Sequence, residues 1–202
     1  MGITNNMRIL IILPFIVALA GCAHSTRSLL SVGDFDAGKY VGTWYEIARF
    51  PHWFERNLVS VTAHYTIRDD GSIGVENKGY DPARGKWRSV SGRAFFKETK
   101  DTALLKVTFF WPFYGTYKVI LLDKENYGHA IVTSDTYSYL WILSRTPTLK
   151  AETLKALVIF AEASGFDISR LELVDQRLKM YSQQPAGGAP SNGAALPRTP
   201  RQ

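Results

Sequence analysis

The chain has 202 residues, of which 46% are hydrophobic, 21% charged and 13% aromatic, the balance of one globular domain with extensions at its ends. The net charge of +6 is spread, with Lys and Arg interleaved among Asp and Glu; no basic stripe forms, which excludes a nucleic-acid partner. One cysteine excludes an intrachain disulfide, so the fold must rest on its core.

Arg8 precedes Ile9 to Leu19, an uncharged apolar stretch, and small residues follow at Ala20-Gly21. A basic start, a short apolar segment and a small-residue site describe a secretory signal, and the segment is too short for a spanning helix. Leu19-Ala20-Gly21-Cys22 resembles the lipobox of bacterial lipoproteins. The resemblance implies that residues 1–21 are a signal peptide and that Cys22 carries acyl groups, with residues 22–35 as anchor and linker. Ala23 stands where an Asp would signal inner-membrane retention, which implies the outer membrane, at its periplasmic face.

From Gly42 onward apolar and polar residues alternate with period two, broken by turns about every ten residues. Gly42 to Phe50 opens the series, and Val61, Ala63, Tyr65 and Ile67 alternate with Thr62, His64, Thr66 and Arg68. Asp69-Asp70-Gly71-Ser72 reads as a hairpin turn. Ile73 to Gly79 follows, then the turn Asp81 to Gly85, then Ser89 to Phe96. Leu104 to Phe110, Gly115 to Leu122, Tyr127 to Thr133 and Tyr139 to Arg145 complete eight strands of antiparallel character. Thr146-Pro147-Thr148 supplies cap and first-turn residues for a helix with Leu154, Leu157, Val158 and Ala161 on one face, and Gly165 ends it. The expected fold is all-β, an eight-stranded up-and-down barrel with one helix packed outside, spanning residues 36–175. Residues 182–202, rich in Pro, Gly, Ala and Ser, are expected to be a disordered tail.

Strand parity predicts what faces the barrel interior. Ala48, Ala63, Gly92 and Ala94 are small, Phe50, Tyr65, Phe96, Phe109, Tyr117 and Trp141 are aromatic, and Val107, Val119 and Leu121 share the face. Small residues leave volume and aromatic walls give apolar contact, the chemistry of a pocket for an apolar ligand with a polar end. Glu46 faces inward with Trp44, where a lone carboxylate is costly unless paired, so it is either a bonded structural group or a head-group contact. Arg49 and Arg93 are expected to face outward.

Gly42-Thr43-Trp44, on the opening strand, resembles the first signature of the lipocalins, and Arg145, closing the run from Leu140, resembles the arginine of their third. The resemblance implies that Arg145 lies across Trp44 and closes the barrel floor. The second signature appears only as Ser134-Asp135-Thr136-Tyr137, a departure confined to one loop. The chain is most similar to bacterial outer-membrane lipocalins at Asn77-Lys78-Gly79-Tyr80, at Pro112-Phe113-Tyr114-Gly115 and from Leu140 to Pro147. That implies binding of fatty acids or lysophospholipids in envelope maintenance or stress, a membrane partner through the N-terminal acyl groups, and leaves a homodimer open. No Gly-x-Ser-x-Gly elbow or His-Glu-x-x-His site occurs, and the four histidines lack ligand spacing, so neither an enzyme nor a metal or other cofactor is expected. A haem or pigment carrier and a filled structural barrel remain as alternatives.

Overall fold

Alternating segments with turn residues at their ends build a closed β-barrel in a computed structural model that describes residues 25–177. The expected signal peptide, Cys22 and the tail from residue 182 lie outside the described residues. The strands are β1 (Gly42–Arg49), β2 (Val59–Ile67), β3 (Ile73–Asp81), β4 (Lys86–Phe96), β5 (Leu104–Phe110), β6 (Phe113–Leu122), β7 (His129–Thr133), β8 (Leu140–Ser144) and β9 (Glu172–Leu173). Each of β2 to β7 pairs antiparallel with the next, and β1 closes the ring between β8 and β2. The hairpin between β2 and β3 spans five residues, and Gly71 takes the left-handed conformation at φ +77 that glycine tolerates best. Asp70 accepts from the backbone N–H of Ser72 in that turn.

Two elements lie outside the alternating pattern. A short helix, α1 (Ala37–Tyr40), precedes β1, its first turn capped by the Asp36 carboxylate, which accepts from Gly38 and Lys39 N–H. The ninth strand β9 follows the C-terminal helix and pairs with the end of β1, after β1 has left β2. Gln176 fills the same gap, its Nε2 donating to the carbonyls of Glu46 and Val61.

The C-terminal helix α2 spans Ala151–Ala163, so it starts later than the Thr146 cap predicts. Thr146 bonds instead within its own turn, with Ser144 and with the carbonyl of Thr148, and the α2 N-cap is Lys150, without a side-chain bond. Gly165, at φ +94, follows the helix end as expected, its N–H donating to the Glu162 carbonyl.

The core has two layers. Inside the barrel, Trp44, Tyr65, Val75, Ala94, Leu105, Val119, Val132 and Leu143 pack together. Outside it, Leu157, Ala161 and Phe166 cover Ile47, Ile120, Ile131, Leu140 and Ile142 on the outer faces of β1 and β6 to β8. Leu121 belongs to this outer layer, contrary to its expected inward orientation, because a bulge between Val119 and Leu121 shifts the register by one residue.

Candidate functional site: the barrel interior

Antiparallel connectivity gives the barrel two unlike ends. The β2–β3, β4–β5 and β6–β7 loops lie at the end where β1 begins; the β1–β2, β3–β4 and β5–β6 loops lie at the other.

At the first end, Trp44 is fully buried and the Arg145 guanidinium sits 4.0 Å from its ring centroid. Arg145 donates to four carbonyls, those of Lys39 (2.6 Å), Tyr40 (3.0 Å), Thr43 (3.1 Å) and Tyr127 (3.2 Å). The indole N–H of Trp44 also donates to the Tyr40 carbonyl, at 2.8 Å. One planar cation therefore ties α1, β1 and the β6–β7 loop together beneath an indole, a geometry that Lys could not reproduce.

Above this floor, three tyrosine hydroxyls meet. Tyr117 lies 2.7 Å from Tyr40 and 3.0 Å from Tyr65, oxygen to oxygen. Burial raises the pKa of all three, that of Tyr65 to about 12, so each stays a neutral hydroxyl. Tyr65 and Tyr117 were expected inside; Tyr40 was not, because it lies on α1, outside the alternating runs. The one sequence signal for it is Asp36, an N-cap residue a helical turn earlier.

Ala63, Phe96, Val107, Phe109, Tyr117 and Trp141 pack against the inner core and yet stay partly accessible, whereas Ala94 and Tyr65 are buried. Phe109 and Trp141 stand toward the mouth, Val107 opposite Ala94, Ala63 opposite Trp44, and Phe96 at the floor end of β4. Accessible surface on inward side chains is what a ligand-holding barrel of eight strands requires. Gly92 belongs to the same wall, where an added Cβ would stand 2.6 Å from the Phe109 ring, so only glycine fits beside that aromatic.

Ala48 and Phe50, expected on this inner wall, lie on the opposite face. A bulge between Glu46 and Ala48 places both in the outer layer, with Phe50 against Phe166 and beneath the Arg170 guanidinium. The same bulge turns Arg49, expected outside, into the interior beside Trp141. Glu46, before the bulge, keeps its expected inward orientation opposite Leu143.

Arg49 donates to the Glu46 carboxylate at 2.7 Å and to the carbonyls of Glu55 and Leu58, while the Trp141 indole donates to the Glu55 carboxylate at 3.2 Å. The guanidinium thus pairs with one buried carboxylate, that of Glu46, and holds Glu55 by its main chain, the Glu55 carboxylate being bonded to Trp141. Burial and the charge of Glu55 raise the pKa of Glu46 to about 8, and burial raises that of Glu55, so the pair retains a proton near neutrality. The His52 ring stacks on Tyr139 at 4.2 Å, and burial, with the nearby Arg170 and Arg49, lowers its pKa to about 4. Asn77, on the inner face of β3, holds a buried side-chain oxygen with no partner among the described residues. Beside apolar walls, the interior therefore offers a polar cluster near the mouth and a neutral hydroxyl cluster near the floor. No group of side chains suited to a metal ion occurs among the described residues.

Comparison with known proteins agrees with this architecture. Residues 35–176 match the Lipocalin-like domain family. The chain is 49% identical over 162 residues to the outer membrane lipoprotein Blc of Escherichia coli K12, covering 80% of this chain and 91% of that protein. It is 48% identical over 175 residues to the Blc of Citrobacter freundii, covering 84% and 98%. Among solved structures, the cockroach allergen Per a 4 superposes with a TM-score of 0.60 at 23% identity, covering 75% of this chain and 95% of that one. With a closed antiparallel barrel, an external helix, an arginine-capped tryptophan floor and these relatives, the chain belongs to the lipocalin family.

Proposed function

We propose that this lipocalin takes one single-chain lipid, a fatty acid or a lysophospholipid, into its barrel and holds it at the bacterial outer membrane during envelope maintenance or stress. The observation that carries the reading is a closed ring whose inward side chains keep accessible surface, over a floor sealed by Trp44 and Arg145. An acyl chain runs from Trp141 and Phe109 past Val107 and Ala63 toward the buried Tyr65 and Ala94, with Phe96 at the floor end of its path. Its polar end meets Glu46, Arg49 and Glu55 near the mouth, and the Asn77 oxygen offers a further acceptor. The tyrosine hydroxyls, already bonded to one another, mark the depth at which the chain stops. The activity is binding rather than catalysis, and the cluster of Glu46 serves orientation.

Acylation at Cys22 after removal of residues 1–21 supplies the tether, in line with the lipoprotein names of the bacterial relatives. A periplasmic orientation follows from the same sorting logic, with residues 182–202 as a tail outside the binding domain. The test is a fluorescence titration with palmitate and lysophosphatidylethanolamine. Saturable, equimolar quenching or shift of tryptophan emission that Trp141→Phe diminishes supports the reading. A flat titration with both lipids contradicts it.

A further inference from the structure

The loops at the mouth differ in chemistry from those at the floor. Trp53 is 85% exposed, Trp111 82%, Phe113 75% and Phe110 71%, and Trp87 is also open to solvent. All belong to the β1–β2, β3–β4 and β5–β6 connections or the strand ends beside them, so the rings surround one opening. The floor loops carry no exposed aromatic ring among the described residues, and hold Asp69, Asp70, Glu98, Asp101, Asp123 and Glu125 against the four cations Arg68, Lys97, Lys100 and Lys124, an acidic excess.

Charge follows the same division. Arg56, Lys86 and Arg88 are exposed at the mouth. Two of the carboxylates there are turned away from solvent, Glu55 buried against Trp141 and Asp81 buried with Arg84 at 2.7 Å, while Asp135, in the β7–β8 loop at the same end, is exposed and accepts from Thr116. Exposed aromatics interleaved with cations match the headgroup level of a bilayer, where indole rings settle and cations meet lipid phosphates. A rim this apolar exceeds the scattered exposed residues of an ordinary surface.

The N-terminal segment leads to the same end. From Phe35, whose N–H bonds Asp101 at the floor, it runs past Val32 on Val119 to Thr26, whose carbonyl accepts from Lys118 and whose N–H bonds the Asp135 carbonyl. The Asp135 carboxylate accepts from Thr116, three residues from Phe113 on β6, about 10 Å at strand rise. Ser25, three residues after Cys22 in the sequence, therefore stands at the mouth end, its hydroxyl beside the Asp135 carbonyl.

We propose that the mouth of the barrel docks on the surface of an anionic phospholipid bilayer, with Trp53, Trp111 and Phe113 among the headgroups and Arg56, Lys86 and Arg88 against lipid phosphates. The inference extends the carrier reading, since a docked mouth lets an acyl chain pass between bilayer and barrel without crossing water, but it rests on the rim itself.

The test uses the chain from residue 22 onward with Cys22→Ser, so that no acyl group contributes. Vesicles of phosphatidylethanolamine with phosphatidylglycerol are compared with vesicles in which phosphatidylcholine replaces the anionic lipid. Cosedimentation with the anionic vesicles and a blue shift of tryptophan emission are expected, both weaker on the neutral ones. Trp53→Ser, Trp111→Ser and Phe113→Ser together should lower partitioning about tenfold or more, since binding scales with buried apolar area. Lys86→Glu with Arg88→Glu should abolish the preference for anionic vesicles. Because these side chains are exposed, thermal melts should stay unchanged. Vesicle binding that survives the triple variant overturns the proposal, as does wild-type protein that stays in the supernatant. A dimer in solution that the triple variant dissociates, without vesicle binding, makes the rim an interface between copies instead. If rim-dependent vesicle binding holds while the barrel takes up no lipid, docking stands and the carrier reading fails.

Discussion

Replacing Arg145 by alanine removes the one cation that spans the floor. Four N–H···O=C bonds disappear, at 2.6 to 3.2 Å, together with the stacking on Trp44. Bonds to a charged donor contribute about 1.5 to 3 kcal/mol each when buried. Arg145 is only half-buried and the freed carbonyls can bind water, so about 0.5 to 0.8 kcal/mol per bond is reasonable, or about 2 to 3 kcal/mol for the set. The cation–ring contact adds about 0.5 to 1 kcal/mol. The total, about 3 kcal/mol, corresponds to a fall in Tm of about 6 to 12 °C for a domain of this size. Arg145→Lys keeps the charge but loses the fork, and should recover no more than about a third of the loss. Urea denaturation followed by fluorescence and far-UV circular dichroism measures both variants, with the m-value expected to stay constant. A loss below about 0.5 kcal/mol, or a lysine variant as stable as wild type, would refute the claim that the planar fork seals the floor.

Further outcomes follow from the interior and from the bulge in β1. The Glu46 carboxyl has a folded pKa of about 8 against an unfolded value of 4.5, so the native state holds a proton that the unfolded chain has lost. Its stability contribution is complete below about pH 4.5 and is lost as pH rises toward 8, and Glu55→Gln, which removes the charge facing Glu46, should flatten that decline in pH-dependent urea melts. Ala63→Trp places an indole on the partly accessible inner wall directly across from Trp44; it should prevent lipid uptake while shifting the melting temperature little, and a large destabilisation would instead indicate a filled barrel. Phe50→Ala should cost about 3 to 5 kcal/mol as a core truncation, yet leave lipid affinity in the folded protein unchanged, because the ring lies outside the barrel beneath Phe166. A selective loss of affinity in that variant would place Phe50 on the ligand side.

The two ends of β1 explain what could be read from sequence. From Gly42 to Glu46 the alternation is unbroken, so Trp44 and Glu46 point inward as parity requires, and Arg145 meets Trp44 as the family resemblance implies. One bulged position then reverses everything after it: Ala48 and Phe50 move outside, and Arg49 comes in to pair with Glu46. Apolar residues are acceptable on both faces here, because α2 covers the outer one, so no polar residue betrays the slip. Leu121 is misplaced for the same reason on β6. No period marks Tyr40, because its helix is only four residues long. The helix α2 starts later than the sequence suggests because Thr146 and Thr148 satisfy their own turn, which composition alone does not distinguish from a cap.

The central claim is that the barrel is hollow and carries one lipid, and native mass spectrometry of the protein released gently from bacterial membranes tests it most directly. The account predicts a species heavier than the acylated chain by one fatty acid or lysophospholipid, lost on mild activation, and missing from Ala63→Trp prepared in parallel. A wild-type spectrum showing only the bare acylated chain, or an adduct that Ala63→Trp retains in equal amount, would contradict it.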